Sequence, residues 1–270
     1  MLTLALTMLA GVAAGSLGAL LGIGGGVLLV PLVNVFIGRP FREAAAVSLV
    51  AVLSTSASVA ASHETRQLLN VRLAIVLLVF SVSGATFAAT VLHLLPEWAY
   101  ERIFGATAAL ISVGMLQRLD KRNVRSSVGV VDPGILGGRF YDEDTQSEVV
   151  YHPRRMPLAM FSAFSAGMLA SFLGIGGGIL VVPSLNSWCG IPMRVAAATS
   201  GFMIGVTAVP GAIAHYHLGY LNDFRLAAAA SLGVLLGYRI GFSLSQRTPV
   251  RGLKLLMAGM LALVAIKYLW

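Results

Sequence analysis

Two glycine clusters are the residues in this 270-residue chain best suited to do chemistry. Leu21-Gly22-Ile23-Gly24-Gly25-Gly26 returns 152 positions later as Leu173-Gly174-Ile175-Gly176-Gly177-Gly178, each time inside a long apolar run. Glycines packed this closely interrupt a helix, since each costs about 1 kcal/mol relative to alanine. In hydrocarbon the freed amides and carbonyls need partners, so a break survives only where it is enclosed by protein or faces a cavity. A helix restarting at Val27, and again at Ile179, would aim unpaired N–H groups and a positive dipole end at that cavity. Two such ends facing each other would hold an anion without a fixed charge, through Gly24, Gly25, Gly26, Gly176, Gly177 and Gly178. Small residues also serve plain helix packing in membranes. The duplication, with Pro and Asn at +5 and +8 from the last glycine of both copies, favours a substrate site.

The same 152-residue offset pairs Pro31 with Pro183, Asn34 with Asn186, Gly38 with Gly190, Arg42 with Arg194, Ser48 with Ser200 and His63 with His215. From Ala14 to Ser48, 20 of 35 positions are identical to their counterparts. Asn34 and Asn186 are polar groups in apolar runs, able to donate to a substrate oxygen or to cap a broken helix. Ser48, Thr199 and Ser200 open the next helix of each half, where a hydroxyl reaches the site or caps; Ser54, Ser56 and Ser58 could line a polar face. His63 and His215 could carry protons near neutral pH. Arg239, alone among the basic residues, stands well inside an apolar segment, either as an anion partner or as a snorkelling side chain. Glu43, Glu64, Glu97, Glu101 and Asp223 all fall at segment ends, so a mid-membrane carboxylate for cation coupling is not expected.

The elements that must position these residues are membrane helices. With 57% hydrophobic and 11% charged residues and a mean hydropathy of +0.84, the chain is too apolar for a soluble fold. Apolar stretches of spanning length read at roughly 2–21, 44–62, 71–95, 98–117, 156–173, 195–214, 224–245 and 252–270. Alternating ten-residue segments of a membrane barrel are missing. The first sixteen residues do not read as a secretory signal, because no Lys or Arg precedes them and they align with the interior of the second half. Lone Cys189 offers neither a disulfide nor a metal-ligand spacing. The net charge of +8 reads as basic loop ends rather than nucleic-acid binding.

The expected class is an all-α integral membrane protein of two repeats, each of about four membrane helices with a glycine-rich broken helix or hairpin. Residues 1–117 and 157–270 form the repeats, and 118–156 a cytoplasmic linker with a short hairpin between Gly137 and His152. If the clusters are hairpin tips, thirteen Lys and Arg share the linker's side against five; continuous helices would give eleven against seven. The charge rule therefore favours inverted repeats, with both termini outside.

LGIGGG followed by Pro in both halves, Ala44-Ala45-Ala46-Val47-Ser48 with Ala196-Ala197-Ala198-Thr199-Ser200-Gly201, and the linker from Asp132-Pro133-Gly134 to Tyr151 are the residues of a known pattern. On these the chain resembles the sulfite and organosulfonate exporters of the TauE/SafE type over nearly its full length. That resemblance implies secondary transport of a small sulfur or organic oxyanion across an inner membrane, with no ATP-binding module and no cofactor or metal. The partners it implies are a small anion and membrane lipid. Exposed Gly and Ala faces could support a homodimer. An anion channel or a lipid-headgroup flippase uses the same parts. An intramembrane serine protease with Ser200 and His215 is a distant alternative, because one helix would hold the two about 22 Å apart.

Overall fold

The computed structural model describes residues 1–21, 24–62, 67–117, 134–142, 147–245 and 250–269. Its helices are α1 (Leu2–Leu21), α2 (Gly26–Pro31, continued by a wider π turn over Leu32–Phe36), α3 (Phe41–Ala61), α4 (Val71–Val91) and α5 (Glu97–Gln117). After a two-stranded hairpin come α6 (Met156–Leu173), α7 (Gly178–Ser187), α8 (Met193–His217), α9 (Phe224–Ser245) and α10 (Val250–Leu269). Helices cover all eight spans read from the sequence. Six of them, α1, α3, α4, α6, α8 and α9, are long and apolar enough to cross a membrane. The charged residues of α5 and α10, among them Glu97, Glu101, Arg102 and Lys267, set those two apart.

The chain reverses at each glycine cluster. A methyl group built on Gly25 would lie 2.5 Å from the Ala14 carbonyl, and one on Gly177 3.0 Å from the matching Ala166 carbonyl, so α2 and α7 fold back along α1 and α6. A second reversal follows, where Gly38 and Gly190 both take φ +72° and Pro40 and Pro192 lead into α3 and α8. A left-handed glycine and a proline that presets the next helix make the Gly-x-Pro motif a turn. The Asn34 amide donates to the Arg39 carbonyl at 2.8 Å and the Asn186 amide to the Ile191 carbonyl at 2.9 Å, which ties each turn to the helix before it.

Packing interleaves the two halves. The first helix of each lies against the fourth of the other, α1 on α9 and α6 on α4, while α3 meets its counterpart α8 and α5 meets α10. Backbones come close because glycine lines the seams: Gly11, Gly233, Gly237 and Gly241 between α1 and α9, Gly84 and Gly167 between α4 and α6. Along α1 and α9, Met8 meets Gly233, Val12 meets Gly237 and Ser16 meets Gly241, so these two run parallel. By contrast α3 and α8 run antiparallel, with Ser56 at Gly205 and Val59 at Gly201. So do α5 and α10, where Ser112 donates to the Ala258 carbonyl at 2.8 Å and Gly105 touches Tyr268.

The hairpin pairs β1 (Gly138–Asp142) with β2 (Ser147–Tyr151), Arg139 opposite Val150 and Tyr141 opposite Glu148. It is anchored to the helices by Asn70, whose amide donates to the Tyr151 hydroxyl at 3.0 Å and to the Leu136 carbonyl at 2.9 Å. Burial pushes the Tyr151 phenol above its usual pKa, with the Asn70 hydrogen bond opposing in part.

Gly233→Leu should cost at least about 1–3 kcal/mol, because a side chain there would start 2.2 Å from the Met8 carbonyl. Gly259→Ala, with no atom within 4 Å of the added methyl, should leave stability intact. Thermal melting of both variants in detergent checks this; equal melting points would mean that α1 and α9 are not packed this closely.

Candidate functional site

Both glycine breaks end at one place, deep among the helices. Residues 24–31 and 174–179 are buried throughout. Gly24, Gly174, Gly176 and Gly177 take φ of +67°, +71°, +70° and +50°, conformations open to glycine at little cost, which is why alanine or serine would not serve there. The breaks touch: a methyl group on Gly26 would lie 2.8 Å from the Gly174 carbonyl oxygen. Ser48 joins them, its hydroxyl donating to the Gly174 carbonyl at 2.6 Å while lying 3.3 Å from that of Gly26.

At each restart the first turn is tight. The Gly26 N–H donates to the Gly24 carbonyl and the Gly178 N–H to that of Gly176. Leu28 and Leu29 reach back to the Gly25 carbonyl, both at 3.1 Å, and Leu180 and Val181 to that of Gly177 at 3.2 and 3.4 Å. Among the described residues, the amides of Gly177 and Ile179 meet no acceptor. Beside them stands Ser200, 1% exposed, whose hydroxyl has no hydrogen-bond partner and would lie 3.1 Å from a methyl group on Gly178. Ser48 and Ser200, matched in sequence, therefore differ: one is spent on joining the breaks and the other has a buried donor to spare.

Other expected residues lie elsewhere. Asn34 and Asn186 take the capping role, and the Tyr268 hydroxyl donates to Asn34 Oδ1. Thr199 Oγ1 accepts the Asn70 N–H at 3.3 Å, on the hairpin's side of α8. Arg239 is exposed on α9, while its neighbours Gly237 and Gly241 face α1. His63 falls outside the described residues. His215, 1% exposed, shares α8 with Ser200, fifteen residues on and so about 22 Å away. Its ring meets Tyr220 edge-on at 5.7 Å, and both nitrogens lack a partner. The cavity expected between the breaks is occupied by the side chains of Val52 and Ile204, because glycine leaves the backbone bare and branched neighbours close on it.

A second polar centre escaped the sequence reading. The Arg42 guanidinium donates to the Tyr220 hydroxyl at 3.0 Å and the Leu95 carbonyl at 2.8 Å, between the rings of Tyr100 and Tyr220 at 5.2 and 4.9 Å. Glu43, read as a segment-end carboxylate, is buried and paired with Arg39 at 3.5 Å. Nearby, Asn34, Arg39, Glu97, Glu101, Lys267 and Tyr268 line an open hollow of about 570 Å³. The recurrence of Arg42 at Arg194 was the available signal, but a paired arginine in a loop also reads as a charge-rule residue.

Six spanning helices around two reversals in mid-structure define a multi-pass membrane protein. The chain belongs to the family described as sulfite exporter TauE/SafE, whose pattern matches residues 7–268. That is a family of membrane transporters rather than of enzymes. The chain is 24% identical to "probable membrane transporter protein YunE" of Bacillus subtilis, over 96% of this chain and 95% of the relative. It is 23% identical to a probable membrane transporter protein of Methanocaldococcus jannaschii, over 98% of this chain and 95% of that one. An 81-residue stretch is 37% identical to "Sulfite exporter TauE/SafE family protein 5" of Arabidopsis thaliana, covering 27% of this chain and 18% of the plant protein. No solved structure matches the chain.

Ser48→Ala should cost about 1–3 kcal/mol by stranding the buried Gly174 carbonyl, whereas Ser200→Ala, which breaks no hydrogen bond within the protein, should stay within about 0.5 kcal/mol of the parent. Melting in anion-free buffer checks the pair. Equal losses would show that Ser200 is bonded after all.

Proposed function

We propose that this chain is a secondary transporter of a small oxyanion, sulfite-like or sulfonate-like, working by alternating access between two inverted repeats. The observation that carries the reading is the unpartnered Ser200 hydroxyl beside Gly178, with the acceptor-free amides of Gly177 and Ile179 at the start of α7. An unmet buried hydroxyl costs about 1–3 kcal/mol, which a ligand oxygen would recover. Sulfite and sulfonate present several acceptors and no donor chain of their own, and so suit converging neutral donors at the positive end of a helix. The name of the family supports this anion class.

Inverted repeats are supported by the direction of the self-paired helices. A two-fold axis that turns α3 onto an antiparallel α8, and α5 onto an antiparallel α10, lies across the helices rather than along them. In a membrane such an axis lies in the bilayer plane and exchanges its two sides. The reversals at both glycine clusters put the linker on the side holding thirteen of the basic residues, which favours a cytoplasmic linker, external termini and an inner cell membrane. With the space between the breaks filled, the structure corresponds to a closed state; rocking of one repeat against the other would open it to each side in turn.

Purified protein in liposomes should take up sulfite or a short sulfonate with saturation and counterflow. Ser200→Ala should raise the half-saturating concentration about tenfold, the equivalent of about 1.4 kcal/mol. Flux that grows linearly with concentration would indicate a channel, and an unchanged Ser200→Ala would remove that hydroxyl from the site. A reporter fused after Trp270 should lie outside the cell; a cytoplasmic reporter would overturn the orientation.

A further inference from the structure

Two branched side chains fill the point where the breaks meet, and they stand 152 positions apart, at matching places in the two halves. Val52 and Ile204 are both buried. Within each half the contact repeats: a methyl group on Gly26 would lie 2.8 Å from Val52 Cγ2, and one on the matching Gly178 2.5 Å from Ile204 Cδ1. Across the halves it repeats again, with 3.0 Å from Gly176 to Val52 Cγ1 and 3.0 Å from Gly24 to Ile204 Cδ1. Each side chain therefore presses on both breaks at once. Together with Leu49 and Ala208 they form an apolar cluster separate from the two larger cores of the protein.

This cluster lies against the Ser200 hydroxyl and the bare amides described above. No oxyanion can sit among those donors while the two side chains keep their places, and apolar constrictions of this kind stop ions by excluding their water. Glycine on the facing backbone explains how the closure reaches so deep, since any larger residue would hold Val52 and Ile204 away. Pockets also read the size of apolar matter coarsely but measurably, with one methylene changing rates by about 10–200-fold.

We infer that Val52 and Ile204 are the two halves of an apolar gate that closes the oxyanion site and sets the largest anion it admits. The inference rests on the placement of that site at the breaks. Neither residue donates or accepts a hydrogen bond through its side chain, so the role is steric, and the pair should act on permeation and size preference rather than on anion affinity.

The test uses the full chain in liposomes. Chloride leak and the uptake of sulfite, methanesulfonate and 1-propanesulfonate are compared for the parent, V52A/I204A and the volume-conserving exchange V52I/I204V. For V52A/I204A, chloride leak should rise at least about tenfold, and uptake of 1-propanesulfonate relative to methanesulfonate should rise by a similar factor, within the range one or two methylenes produce. The exchange variant should match the parent in both. Should V52A/I204A not yield monodisperse protein, Ile204→Val, one methyl smaller, carries the test through the same uptake ratio, and Ile204→Phe should stop sulfite uptake. Sulfite transport with no leak and an unaltered size ratio would overturn the gate and leave the oxyanion site standing. A leak in V52A/I204A with no oxyanion uptake by the parent would support the gate and remove the oxyanion reading. Neither leak nor uptake would overturn both.

Discussion

Hydrocarbon offers no partner to a bare peptide group, and this fold is arranged around that constraint. Two helices stop at glycine partway along their course, and the exposed carbonyls and amides are enclosed by the other half of the chain. The hydroxyl of Ser48, on α3, meets the carbonyl of Gly174 from the far half, so each break is completed only when both halves are in place. The interleaving of α1 with α9 and α6 with α4 follows from the same need. It wraps each broken segment in protein and leaves the lipid-facing surface to continuous helices.

A nearly two-fold molecule with one unmatched donor is suited to bind a ligand at its centre. If Ser48 and Ser200 were both bonded to carbonyls, the breaks would be a structural joint and nothing more. Because Ser48 alone makes that bond, the second break retains a hydroxyl and two amides that a small acceptor could use. Asymmetry extends outward. On the termini's side an open hollow with Arg39, Lys267, Glu97 and Glu101 lies near the aromatic-caged Arg42, while on the linker's side the hairpin lies over Asn70 and Val71. The two ends of the molecule thus present different surfaces around a shared centre.

Much of the helical layout was legible because membrane helices declare themselves by length and apolarity, and because the 152-residue offset ties one half to the other. The Asn-x3-Gly-x-Pro motif was visible, yet its meaning was not. Asparagine in an apolar run reads equally as a ligand donor or a cap, and only the hydrogen bonds to Arg39 and Ile191 decide for the cap. The burial of His215 without a partner, and of Glu43 beside Arg39, could not be seen from positions at helix ends, where side chains usually reach water. Val52 and Ile204 went unremarked because a branched apolar residue in an apolar helix carries no signal by itself. Their shared offset, among Ser48, Ser54 and Ser56, was the one trace available.

The most direct measurement is anomalous diffraction from crystals of the protein grown with selenite in place of sulfite. A selenium peak between the two breaks, beside the Ser200 hydroxyl and the amides of Gly177 and Ile179, is the expected result, with Val52 and Ile204 moved aside. A peak confined to the outer hollow at Asn34 and Tyr268, with the breaks still packed shut, would contradict an oxyanion site at the centre of the fold.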